Sequence, residues 1–270
     1  MNNLRTVMKW TAGALELAGA AYTTYAGVTW VRYGQPTPPR PDECDPVLDR
    51  FMPVYDVVER HHIDVAAPAE TTFAAACEQD LMAMPLVRAI FKAREIVLGA
   101  DPDTISRPHG LLALTQSLGW GVLANNPGRE VVMGAVTQPW YANVVFHPLP
   151  PDEFRRFHEP DYVKIVCNLR ADPAGPHRSI FRSETRVATT NATARTKFRW
   201  YWARFSAGIT LIRWLSLGAI RRTAERRAGE PGGARDGRGE KADRPFFIVS
   251  TAAATPDRAA DRSRAPSGTT

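Results

Sequence analysis

Cysteine is scarce in this chain: Cys44, Cys77 and Cys167 are the only three in 270 residues, widely spaced and without a CxxC pair. That excludes a disulfide framework or a cysteine-built zinc site as the organising device. The six histidines, His61, His62, His109, His147, His158 and His177, show no metal-ligand spacing. No glycine-rich phosphate loop, HExxH pair, GxSxG elbow or internal repeat occurs. Phosphate-loop, zincin and α/β-hydrolase chemistry are thereby set aside. No cofactor, no metal and no catalytic residue is assigned by motif.

What is present is enough apolar material for a packed core, 44 %, with a net charge of +6. Much of the positive charge gathers late, at Arg221, Arg222, Arg226, Arg227, Arg235 and Arg238. An arginine-rich helix suits anionic lipid headgroups. No nucleic-acid partner is expected, because this charge is mixed with an apolar stripe and no DNA-reading motif accompanies it.

The two ends differ from the middle. Residues 10–31 carry one charge, Glu16, between Lys9 and Arg32, with Trp10, Trp30 and Tyr33 near the ends. At about 1.5 Å per residue this run can cross a hydrocarbon core of about 30 Å, and interfacial aromatics are expected at such ends. Residues 1–33 are therefore expected to be a single-pass membrane anchor, with a cleaved signal or a soluble helix as the rival readings. Gly19, Thr23 and Gly27 share one face that permits close helix pairing. Basic residues flank both ends, so no side of the membrane is assigned. Residues 34–49, with Pro36, Pro38, Pro39, Pro41 and Pro46, read as a stiff spacer. Residues 228–270 are too poor in apolar side chains to fold and read as a disordered tail; the PFFIV run at 245–249 is the exception.

In the middle, Tyr55, Val57, Ile63 and Val65 share a parity with Glu59 and His61, which reads as a strand. His61 and His62 then point to opposite faces and cannot chelate one metal. Pro68 and Glu70 open a helix that carries Phe73 and Cys77. A second helix is expected at 85–98, stopped by Gly99. Residues 120–124 and 130–137 bracket Asn126-Pro127-Gly128-Arg129 as a hairpin, 143–147 is a further candidate strand, and 162–170 and 179–189 alternate. A helix from 192 to 227 follows, with Phe198, Trp202, Phe205, Ile209 and Ile212 in its stripe and Gly208 a candidate bend.

This order, and above all the strand-to-helix passage IDVAAPAETTFAAACE, resembles the START-related helix-grip superfamily, which includes pollen-allergen-like proteins and the polyketide cyclase/dehydrase and lipid-transport group. GWGVLANNPGREVVMG, SIFRSETRVATT and ARTKFRWYWARFSAGITLIRWLSL fall in the expected places. The resemblance covers roughly residues 50–225. It implies an α+β helix-grip domain over 50–227, in which a curved antiparallel sheet wraps the long C-terminal helix. It also implies a cavity for a hydrophobic small molecule or lipid, but no catalytic set that carries over.

The ligand-binding candidates are Glu59 and His61, polar groups on an otherwise apolar parity, Thr185 on the wall-like parity of Phe181 and Ser183, and Trp202 with Phe205 as the roof. Arg182, Glu184 and Arg186 read as a cross-strand charge ladder toward Lys164 or Arg170, or else Glu184 turns inward. Three functions stay open: a membrane-tethered binding protein, a cyclase/dehydratase-type enzyme using Glu59 and His61 as an acid–base pair, and a cell-envelope interaction module without a ligand. No feature sets an oligomeric state.

Overall fold

The computed structural model describes residues 2–101 and 108–230. The expected tail beyond 230, with its PFFIV run, Arg235 and Arg238, and the loop residues 102–107 lie outside the described residues.

Helix α1 (Asn2–Arg32) is followed by a proline-rich passage, a short α2 (Pro46–Phe51) and strand β1 (Val57–Val65). Three helices come next, α3 (Ala69–Cys77), α4 (Pro85–Leu98) and α5 (Leu111–Ser117). Strands β2 (Gly121–Asn126), β3 (Glu130–Thr137) and β4 (Phe146–His147) lead to α6 (Pro151–Arg156), β5 (Val163–Pro173) and β6 (Ser179–Thr189). Helix α7 (Ala192–Gly229) closes the fold. The strands form one antiparallel sheet in the order β1-β6-β5-β3-β2, with β4 paired to β3. This is the helix-grip α+β architecture: α7 packs on β1, β6 and α3.

Alternation decides which side chains meet α7. Val65, Met133, Cys167, Leu169 and Phe181 face it together with Leu217, Ile220 and Ala224. Nearer the start of α7, Tyr33, Val57, Val163 and Val187 close on Phe198 and Trp202.

The other sheet face is covered too, which the sequence pattern did not announce. Strand β3 is buried at every position, so its even residues need a second apolar layer. Leu48, Phe51 and Met52 at α2 and Phe154 in α6 supply it against Val132, Val136 and Val166. The segment expected as a spacer therefore lies against the sheet: Arg60 donates to the Thr37 carbonyl, and Asn168 donates to Asp45 at 2.6 Å. Asp45 also caps α2, accepting from the Val47 and Leu48 amides.

The expected bilayer-crossing segment is not met. Helix α1 forms where expected, but no helix among the described residues is long and apolar enough to cross a membrane. Its many Ala, Gly and Thr residues hold its hydrophobicity down, and its end docks on α7. Trp30 lies 4.3 Å from Trp200, ring centre to ring centre, and Arg199 stacks over Trp30 at 4.2 Å while donating to its carbonyl. Tyr22 donates to the Arg204 carbonyl at 2.6 Å. Tyr33, expected at a membrane interface, is buried against Phe198. At Gly19 and Gly27 no neighbouring atom of the described residues lies within 4 Å of a built Cβ.

Candidate functional site

Between α7 and the concave sheet face is a cavity of about 910 Å³. Met133, Cys167, Leu169, Phe181, Ser183 and His61 form its floor; Tyr201, Phe205, Ile209, Ile212, Leu217 and Ile220 form its roof. Ile90, Phe91 and Val97 of α4 close one side, and Trp120 and Phe146 lie at another. Its size is that of a small-molecule site, and the composition suits one: mostly apolar walls with a few polar groups.

Helix α7 continues through Gly208 without interruption. The glycine serves as an approach point instead, because a Cβ there would stand 2.9 Å from Ile90 Cγ2. Lacking a side chain, position 208 lets α4 close over the cavity.

Of the residues expected at the site, His61 and Phe205 line the cavity. Glu59 stands beside it: its Oε2 is 3.3 Å from His61 Nε2 and accepts from Thr210 Oγ1 at 3.4 Å. His61 Nε2 is buried without a hydrogen-bond partner among the described residues. Thr185 lies opposite Glu59 on β6 and is buried, its hydroxyl without a partner among the described residues, and it is not part of the cavity lining.

Trp202 is not among the residues that line this cavity. It stacks on Phe198 at 5.8 Å and joins the solid cluster around Tyr33 and Val57. Helix geometry explains this: residues four apart share a row. Phe198 and Trp202 make one row, which meets the sheet. Tyr201 and Phe205, with ring centres 5.0 Å apart, begin another row that continues through Ile209 over the cavity.

The charge ladder of β6 is on the outer face, and its partners differ from those expected. Arg186 is fully buried; it donates to Glu184 at 2.7 Å, to Asp49 at 2.6 Å and to the Met52 carbonyl. Burial works against its charge, but the two carboxylates outweigh it and hold its pKa above the ordinary value. Glu184 also meets Arg60, directly across on β1, at 3.3 Å. Arg182 pairs with Asp172. Lys164 instead donates to the Arg155 carbonyl and lies over the Phe154 ring.

Sequence reasoning missed Arg213. It lines the cavity and donates to Ser183 Oγ at 3.3 Å. The signal was there, since Arg213 falls four residues after Ile209 and four before Leu217, in the apolar row. Beside it the Cys167 thiol is pushed up to about 11, chiefly by burial, so it is neutral at physiological pH. Among the described residues, no group of three or more His, Cys, Asp or Glu side chains is placed to hold a metal.

No family model and no curated protein sequence matches the chain. Solved structures similar to it include a norcoclaurine synthase mutant from Thalictrum flavum bound to a transition-state analogue: 10 % identity, 63 % of this chain and 95 % of that one, TM-score 0.30. The ZhuI aromatase/cyclase from Streptomyces sp. R1128 matches at 14 % identity over 66 % of this chain and 98 % of its own, TM-score 0.23. A START superfamily protein from Mycobacterium smegmatis matches at 11 % identity over 63 % and 96 %, TM-score 0.22. At these values the helix-grip assignment stands on the element order and sheet topology above, not on the matches.

Proposed function

We propose that the chain is a binding protein for an amphipathic hydrophobic small molecule or lipid, held between the concave sheet face and α7. The observation that carries this reading is the cavity of about 910 Å³. A solid core would have favoured an interaction module without a ligand. Apolar ligand area that leaves water for such a site gains about 25 cal/mol per Å² before the costs of association are subtracted. The reading does not depend on a membrane-spanning anchor; the end of α1 docks on α7. The test is native mass spectrometry of the protein purified from its own host, beside an Ile209→Trp variant that fills the cavity. Wild type should carry a co-purifying apolar compound and the variant should not. Empty wild type that also fails to bind an apolar fluorescent dye would refute the reading.

One observation favours a second reading, an enzyme of cyclase/dehydratase type. His61 lines the cavity and Glu59 stands 3.3 Å from it, so an acid–base pair lies next to a bound ligand. It predicts that host-derived ligand is chemically altered on incubation with wild type but not with His61→Phe. Identical recovery from both would leave binding alone.

A further inference from the structure

Resting on the cavity-binding reading, we infer that the ligand carries one anionic oxygen headgroup on its apolar body, a carboxylate or a phosphate monoester, and that Arg213 binds it. Arg213 stands in the apolar row of α7, between Ile209 and Leu217, and lines the cavity. A guanidinium carries five N–H donors and a permanent charge, and setting it in an apolar wall is costly unless the charge is matched. Among the described residues Arg213 has no carboxylate partner, and its one hydrogen bond there goes to Ser183 Oγ.

Ser183 supplies no charge. Its own hydroxyl donates to the Asn168 carbonyl at 3.2 Å, leaving only a lone pair for Arg213. The carboxylates nearby are engaged elsewhere. Glu59 accepts from Thr210 beside His61. On the cavity lining itself, Glu95 is paired with Lys92 at 3.0 Å and Asp101 accepts from Asn143 at 2.7 Å. The counter-charge to Arg213 is therefore left to the ligand. A carboxylate or phosphate matches the flat fork of a guanidinium with two parallel hydrogen bonds, while the apolar body lies along Ile209, Ile212 and Phe181.

Calorimetric titration of the full chain at pH 8 with dodecanoate, dodecyl phosphate and 1-dodecanol tests this. The three probes share a chain and differ in the head. Wild type should bind at least one anionic probe about 10-fold or more tighter than the alcohol, and the better of the two identifies the head. Arg213→Met, similar in reach and apolar, should lose that margin and keep its affinity for dodecanol; Arg213→Gln repeats the comparison if the methionine variant does not fold. An anion preference that survives both substitutions overturns the assignment of Arg213. Equal binding of alcohol and anions by wild type overturns the charged head and leaves the cavity reading intact. No binding of any probe by wild type overturns both.

Discussion

Ile90 Cγ2 occupies the space beside Gly208, 2.9 Å from where a Cβ would be. This contact joins α4 to α7 at the cavity. An alanine at 208 gains about 1 kcal/mol of helix propensity but overpacks the contact at a cost of about 1–3 kcal/mol. Gly208→Ala should destabilise wild type by about 1 kcal/mol, and should stabilise an Ile90→Ala background by a similar amount. Urea denaturation of the four proteins in a cycle checks this. The same effect in both backgrounds would remove the steric role of Gly208.

Arg186 should be the costliest single charge to remove. Its guanidinium is buried between Glu184 and Asp49, so Arg186→Met leaves Glu184 in the interior with only Arg60 to meet it. Breaking a buried pair in this way costs about 3–5 kcal/mol. Pairing Arg186→Met with Glu184→Gln should recover part of the loss. A single variant within about 1 kcal/mol of wild type in urea denaturation would show that the pair contributes little.

Much of this fold was legible because periodicity and burial agree. Strand β6 runs from Ser179 to Thr189, as its alternation predicts, and α7 starts at Ala192. Strand β1 covers Val57–Val65, where alternation was read, and on it His61 lines the cavity with Glu59 beside it. Helices α2, α5 and α6 were not legible, since six or seven residues hold too few turns to display a period. The docking of the end of α1 was not legible for a physical reason: an apolar run reads alike whether lipid or another helix covers it, and Trp200 on α7, which meets Trp30, lies 170 residues further on. Arg213 escaped because the arginines of α7 were weighed together as positive charge, not position by position against the apolar stripe.

Glu130 should make stability fall as pH rises. It is buried on the outer face, where burial and the Asp45 carboxylate push its pKa up to about 7, against the opposing pull of Asn168 and Arg170. The folded state thus keeps a proton that the unfolded chain, near the ordinary value of 4.5, releases. That stabilisation is complete below about pH 4.5 and is lost as pH rises through about 7. Glu130→Gln keeps a neutral group in place and should flatten this part of the profile. Denaturation midpoints from pH 5 to pH 8 check it; parallel profiles for the two proteins would rule Glu130 out as the source.

The docking of α1 on α7 predicts a graded response along α1. Trp10 is 76 % exposed, so Trp10→Ala should leave stability within about 0.5 kcal/mol of wild type. Trp30 meets both the Trp200 ring and the Arg199 guanidinium. Such contacts contribute about 0.5–2 kcal/mol, and Trp30→Ala should cost about that much. Tyr33 is buried in the cluster of Val57, Phe198 and Trp202, and Tyr33→Ala should cost about 3–5 kcal/mol, as other buried aromatic truncations do. A Trp30–Trp200 cycle separates direct contact from general loosening: a coupling of about 0.5 kcal/mol or more places the rings together in solution. If Trp30→Ala is neutral and the cycle shows no coupling, α1 is not seated on α7, and a membrane partner for residues 10–31 becomes the better account of their composition.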